Sequence, residues 1–377
     1  MKIAILPGYS WAHISMPIFT TITHLRNFGH ELYVFYERSE YCSSIGLNEQ
    51  FFDYDCVKII EYSPKDLAQK KSSSTNMVAE DLDVFCTNFI MSFSISFDVI
   101  IGYEPRGLIR GALIKSQLNC KLVYFSLEIL DSDCSLKKAE IHYSKDADII
   151  ITQDKYRAEI ISKLNNYDRN KIYPVFNTTL GEPIVQRSAF LSETFKIPKD
   201  KIILLSPGSI MRSTGLYELM DIASECDNKI AIVFHGWMPY QKDQDHFEKV
   251  QKKFPDTVYR SEKLFSHEEK FKIHRSADVG FIYYEPRDIN YEYAVWSSGK
   301  FFDFMRCGIP VLCKSMLNAE SLVTENKVGS LYLNPSEMIP KILELGVNKK
   351  VFAKSCHNTF KKYSFAESFD YAWSNLM

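Results

Sequence analysis

The sequence predicts an α/β protein made of two doubly wound, Rossmann-like domains, and three observations carry that expectation. Short runs rich in β-branched and aromatic residues alternate with segments of helical period from end to end, the pattern of parallel sheets covered on both faces. At 377 residues the chain exceeds what one core absorbs, since domains run to about 150–200 residues. Midway, "KIYPVFNTTLGEPIVQRSAF" breaks the rhythm with two prolines and a glycine, and a second alternating series follows it.

In the first half the strands are expected at Lys2 to Leu6, Glu31 to Tyr36, Val57 to Tyr62, Asp98 to Tyr103, Lys121 to Ser126 and Asp148 to Thr152. Helices fit between them, notably Ile18 to Phe28, closed by Gly29. The second series places strands at Lys201 to Leu205, Lys229 to His235, Thr257 to Arg260, Asp278 to Tyr284, Ile309 to Lys314 and Gly329 to Leu333. The boundaries drawn are 1–182, 183–360 and a C-terminal helix at 361–377. In that helix Phe365, Phe369 and Trp373 form one stripe, which packs either back on the first domain or on its own. Two such sheets in sequence are expected to face each other across a cleft at their carboxyl edges.

Composition removes several function classes. Apolar residues are 46% and charged residues 24%, with 22 Tyr and 26 Phe, a globular balance with an aromatic excess. A net charge of −2 supplies no basic field for nucleic acid. Nine cysteines, scattered and never spaced C-x-x-C, fit neither a disulfide framework nor a zinc site, so a reducing cytoplasm is expected. "MKIAILPGYSW" is cut by Pro7 and Gly8 and reads as a first strand, not a signal peptide. No apolar run reaches the roughly 20 residues that span a bilayer, which leaves peripheral contact with the inner membrane face open.

Chemistry concentrates in "SSGKFFDFMRCGIP", residues 297–310. Ser297 or Ser298 caps a helix on which Lys300 and Asp303 stand one turn apart. A lysine in a first turn opposes the helix dipole by about 0.3–1 kcal/mol, and an i, i+3 pair with Asp303 returns only about 0.2–0.5 kcal/mol. A bound phosphate reverses the balance, because free N–H groups at Ser298 and Gly299 and the Lys300 ammonium converge on one anion. Asp303 is then placed to accept from vicinal ribose hydroxyls.

A second phosphate-binding layout is "KIILLSPGSIMRSTGLYELM", a strand, a Pro-Gly turn and a helix beginning near Thr214 or Gly215. Gly208 and Ser209 let backbone amides approach an anion, and Arg212 adds a cation capable of bidentate bonds. His235 and Gly236 close another strand, where backbone groups reach a ligand or simply make a turn. The loop "PRDINYEYAVW" is aromatic and offers Asn290, Tyr291 and Tyr293 to a sugar. In the first half, "LPGYSWAH" follows the first strand and carries Gly8, Tyr9 and His13, and Glu128 stands just beyond a strand end. A lone histidine such as His13 is as readily structural as functional.

Taken in order, these segments resemble the retaining glycosyltransferases of the large family four, which have the GT-B fold. "SSGKFFDFMRCGIPVL" is similar to that group's Ser/Pro-x-Lys-x-x-Glu signature ending in Gly-x-Pro-Val, and "LLSPGSIMRSTGLYEL" to its strand, glycine loop and helix. "TTITHLRNFGHELYVF", "LVYFSLEIL" and "AEIHYSKDADIIITQD" resemble first-domain stretches of the same group. The resemblance implies sugar transfer, with retention, from a nucleotide-diphosphate donor, UDP-linked, in the second domain to a saccharide or lipid-linked acceptor in the first. It further implies that Lys300 holds the diphosphate, Asp303 the ribose, and Gly208 with Gly215 the phosphate loop, while Ser126, Leu127 and Glu128 face the cleft.

There are departures. Ser209 and Thr214 stand where the group often has arginine and lysine, so Arg212 takes their part. The paired glutamates of the group are absent, since Val295 occupies the first place and Glu285 lies too far upstream. Asp-x-Asp at residues 53, 81, 131, 146 and 243 looks like composition, and with cations already at the phosphate positions no metal and no cofactor beyond the sugar nucleotide is expected. Two rivals remain: a sugar-nucleotide isomerase of the UDP-N-acetylglucosamine 2-epimerase type, and a catalytically silent scaffold.

Overall fold

The computed structural model describes residues 1–9, 15–37, 54–63, 79–226, 228–263, 265 and 269–377. The chain divides into two compact units: Met1–Leu180 together with Phe365–Met377, and Gly181–Ser364.

The first unit is built on strands β1 (Lys2–Pro7), β2 (Glu31–Glu37), β3 (Val57–Tyr62), β4 (Val99–Tyr103), β5 (Lys121–Phe125), β6 (Ile149–Thr152) and β7 (Ile172–Pro174). Their order is β3-β2-β1-β4-β5-β6-β7, and each neighbouring pair is parallel. "VIIGY" of β4 is buried throughout, because a sheet covered on both faces needs apolar side chains in both directions. β7 lies inside the segment that breaks the sequence rhythm. Three residues carry no periodicity, and Pro174 is tolerated because this strand is the sheet's edge. The helix after β1 begins at Met16, two residues earlier than its apolar pattern suggests, since Pro17 suits a first turn. Beyond it Gly29 takes a left-handed backbone, φ 74°.

The second unit holds β8 (Ile202–Pro207), β9 (Ile230–His235), β10 (Val258–Ser261), β11 (Val279–Ile282), β12 (Val311–Lys314) and β13 (Gly329–Tyr332). These are also parallel, in the order β10-β9-β8-β11-β12-β13. In both sheets the chain winds outward from a central strand and then returns to that strand's other side. The reversal separates the loops after β1 and β4 in one unit, and those after β8 and β11 in the other. Ligands of open parallel sheets bind at such points, beyond the carboxyl ends of the strands.

The C-terminal helix Phe365–Ser374 belongs to the first unit. Phe365, Phe369, Ala372 and Leu376 join a core with Ile18, Ile22 and Leu25. The Phe365 N–H donates to Thr178 Oγ1 at 2.7 Å, and His24 Nε2 lies 2.7 Å from Asp370 Oδ1. None of the described cysteines is in a disulfide. No described helix is long and apolar enough to cross a membrane.

Candidate functional site

In the second unit, β8 runs into Gly208, a turn at Arg212–Thr214 and the helix Leu216–Asp221. Gly236 follows β9 with φ 146°, and a Cβ there would lie 1.8 Å from the Gly208 carbonyl oxygen. Only glycine allows the two loops to touch backbone to backbone. The contact is sealed by Gly208 N–H to His235 O at 2.9 Å and Ile210 N–H to Trp237 O at 2.9 Å. Gly208 is exposed and Ser209 half-buried, so both are accessible at the carboxyl end of β8. Thr214 does not. Its hydroxyl sits 2.7 Å from the Ser209 carbonyl and receives the Met211 N–H at 3.2 Å, bracing the loop from within. Gly215 is likewise buried, packed against Phe281 and Tyr283.

Arg212 is the exposed member of this loop, with 68% of its side chain accessible. Its Nε lies 3.6 Å from Glu285 Oε1, and the Glu285 N–H donates to the Ser213 carbonyl at 3.0 Å. The acid that sat too far upstream in the sequence is thus brought beside the arginine, because β8 and β11 are neighbours.

The helix Gly299–Arg306 starts at the same edge. Ser298 caps it, Oγ accepting from the Phe301 N–H at 3.3 Å and lying 2.8 Å from the Tyr284 hydroxyl. The Ser298 N–H, expected to be free, donates to the Val295 carbonyl at 3.4 Å. The N–H groups of Gly299 and Lys300 have no acceptor among the described residues. Phe301, Phe302, Phe304 and Met305 are buried and anchor the helix. Lys300 is therefore carried on a fixed frame. Its ammonium stands 4.6 Å from the Tyr284 ring centroid, with no carboxylate within 4 Å among the described residues. Burial pushes its pKa down to about 8, against an opposing pull from nearby Cys313.

Asp303 is not the partner of Lys300. Its Oδ2 is 2.7 Å from Lys270 Nζ and 4.0 Å from His274 Nε2, both on the neighbouring helix Lys270–His274. Three residues along the helix fall about 60° short of a full turn, which sets the aspartate toward that neighbour, and no local pattern marks Lys270 as its partner. The stretch after Pro286, read as a loop, is two short helices, Ile289–Glu292 and Ala294–Ser297. Asp288 caps the first, accepting from Asn290 N–H at 3.0 Å and Tyr291 N–H at 3.1 Å. His235 ends β9 with Nδ1 3.1 Å from Ser261 Oγ, and burial with nearby His274 pushes its pKa down to about 4.

In the first unit, Gly8 follows β1 and is pressed against β4, where a Cβ would lie 2.6 Å from the Tyr103 carbonyl oxygen. The Tyr9 hydroxyl donates to Ser15 Oγ at 3.0 Å, and burial with the nearby Glu104 carboxyl raises its pKa well above the ordinary value. His13 lies outside the described residues. Glu128 is exposed beyond β5, and its N–H donates to Glu104 Oε1 at 3.0 Å. Ser126 and Leu127 on the same turn are buried. Glu104 had no sequence signal beyond its place after a strand.

No protein-family model and no curated protein sequence matches the chain. Solved structures do. HepE of Anabaena, in complex with UDP, aligns over 100% of both chains with a TM-score of 0.71 at 13% identity. A glycosyltransferase from Rickettsia africae aligns over 100% of this chain and 98% of its own, with a TM-score of 0.70 at 12% identity. Sucrose-phosphate synthase of Thermosynechococcus elongatus covers 100% and 99%, with a TM-score of 0.68 at 14% identity. HepE has also been solved with UDP and glucose and with UDP-glucose.

The fold is GT-B. Among the described residues of this GT-B chain, no group of three or more His, Cys, Asp or Glu is arranged to hold a metal ion. The groups at the β8/β11 edge include two cations, Arg212 beside the Glu285 carboxylate and Lys300 beside Tyr284, and two backbone N–H donors. Such a set suits an anion with several oxygens.

Proposed function

We propose that the chain is a glycosyltransferase that moves a sugar from a nucleotide-diphosphate donor, UDP-linked, to a saccharide or lipid-linked saccharide acceptor. One observation carries the reading: Lys300, desolvated and without a carboxylate, extends beside two unpaired N–H groups at a helix start, at the chain-reversal point of the second sheet. A desolvated cation without an anion is unfavourable, and a diphosphate supplies the missing charge.

In this reading the second unit binds the donor. Lys300, the Gly299 and Lys300 amides and Arg212 take up charge on the diphosphate as its bond to the anomeric carbon breaks. An acceptor hydroxyl oxygen then bonds to that carbon while its proton passes to the departing diphosphate oxygen, and catalysis is electrostatic with no covalent nucleophile on the protein. Asp303, oriented by Lys270, presents its remaining oxygen to the ribose, and Glu285 beside Arg212 stands nearest the donor sugar. The first unit takes the acceptor near Gly8, Tyr9 and Glu128. Retention, a family-four-like mechanism, a role in surface glycan assembly and a cytoplasmic site at the inner membrane face follow from the motif resemblance. The UDP complexes of HepE, a chain of the same fold, support the choice of nucleotide.

Calorimetry with UDP on the wild type and Lys300→Ala tests this. Micromolar-range binding by the wild type that falls at least tenfold in the variant, with a melting temperature no lower than that of the wild type, is the expected result. No binding of any nucleoside diphosphate to the wild type makes the protein a silent scaffold. Turnover of UDP-N-acetylglucosamine without acceptor makes it an isomerase.

A further inference from the structure

β4 ends at Tyr103, and the helix Glu104–Lys115 begins at the next residue with no loop between them. So abrupt a turn needs one residue in a left-handed backbone, and that residue is Glu104, φ 59°, followed by Pro105. Space is as tight as the turn: a Cβ on Gly107 would lie 2.3 Å from the Leu6 carbonyl oxygen, so the helix start lies directly on β1. Glycine or asparagine takes this backbone at less cost than glutamate. A strand-to-helix elbow with a strained residue at its apex is a way to present a side chain to a ligand.

The carboxyl is held accordingly. Oε1 accepts the Leu127 N–H at 2.8 Å and the Glu128 N–H at 3.0 Å, both from the turn after β5. Oε2 has no hydrogen-bond partner among the described residues. One oxygen thus fixes the group and leaves the other available at the β1/β4 reversal point, beside Tyr9 and Glu128. A tether alone requires only the first oxygen.

We propose that Glu104 is a substrate-contacting residue, whose Oε2 takes a hydrogen bond from a hydroxyl of the sugar acceptor bound by the first unit. The proposal rests on reading the chain as a glycosyltransferase and names the group that recognises the acceptor. Burial, then the neighbouring Glu128, pushes the Glu104 carboxyl up to about 8. As pH rises past that value, Oε2 changes from a neutral to a charged acceptor, which makes a stronger bond to a hydroxyl. The other titratable groups facing it are Tyr9, Tyr124, Glu128 and Glu140. Both tyrosines are raised well above their ordinary value and do not titrate between pH 7 and 9.

The test is saturation-transfer NMR on the full chain with UDP and the methyl glycosides of glucose, galactose, mannose and N-acetylglucosamine, at pH 7 and 9. Glu104→Gln keeps an oxygen for both tethering amides but cannot titrate. The wild type is expected to bind at least one glycoside about fivefold more tightly at pH 9 than at pH 7, and Glu104→Gln to bind it with no such rise and an unchanged melting temperature. No glycoside bound by the wild type at either pH, or an equal rise in Glu104→Gln, overturns the proposal. Absence of UDP signals in every protein instead overturns the donor reading, while the glycoside signals still decide Glu104.

Discussion

Asp303 is bonded to Lys270 at 2.7 Å, and Lys300, one turn earlier on the same helix, has no carboxylate within 4 Å among the described residues. The pair is nearly dry, with side chains 16% and 8% exposed. Removing one partner of a buried pair leaves the other charge uncompensated, at a cost of about 3–5 kcal/mol. Lys270→Met is therefore expected to lose about 3 kcal/mol in urea unfolding. Adding Asp303→Asn should restore more than half of that. A single-variant loss below about 1 kcal/mol would show an ordinary surface pair instead.

Lys300 yields two opposite pH slopes. Its folded pKa, about 8, lies below the 10.5 of an unhindered lysine, so between these values the unfolded chain holds the extra proton. Stability from this group alone therefore rises with pH across that window. UDP affinity does the reverse, weakening as pH climbs through about 8 and the ammonium is lost. Lys300→Arg keeps its charge and should flatten the affinity profile, while melting without nucleotide from pH 7.5 to 10 should lose the rising component in Lys300→Met. Equal profiles for wild type and Lys300→Met would show that Lys300 is not the titrating group.

Arg212 separates binding from folding. With 68% of its side chain exposed and Glu285 at 3.6 Å, it contributes little to stability, and Arg212→Ala should melt within about 0.5 kcal/mol of the wild type. Loss of a charge-assisted bond to phosphate should lower UDP affinity by about 1.5–3 kcal/mol, roughly 10- to 150-fold by calorimetry. An affinity within twofold of wild type would remove Arg212 from the site.

The C-terminal helix is held by packing more than by charge. Phe369 is buried in the first unit's core, so Phe369→Ala should cost about 3–5 kcal/mol. Asp370, which meets His24, has 53% of its side chain exposed, and Asp370→Ala should cost less than about 1 kcal/mol. Thermal melting of the two variants gives the ranking, and the reverse order would assign the anchoring to the ion pair.

Much of the candidate site's backbone geometry was legible because its signals are local. Ser298 as a cap, the exposed Gly208, and Arg212 at a strand-to-helix turn are short-range features that the backbone alone enforces. The misreadings are of another kind. Thr214 looked like a ligand contact and is a brace, because a hydroxyl within three residues of a free amide closes a turn before it reaches outward. Glu285 looked misplaced by counting residues, yet it lies beside Arg212 because sheet neighbours are set by strand order and not by spacing. Glu104 gave no signal, since a left-handed glutamate is spelled like any other.

The sequence by itself determined the alternation of strands and helices, the two parallel sheets and the helix start that carries Lys300, since each follows from periodicity, turn chemistry and capping within a dozen residues. Only the tertiary structure decided which charges meet: Lys270 with Asp303, Arg212 with Glu285, Glu104 with the amides of Leu127 and Glu128. Those pairings join residues 23 to 73 positions apart, at distances fixed by how strands are ordered and helices rotated, and no local pattern in the chain encodes them.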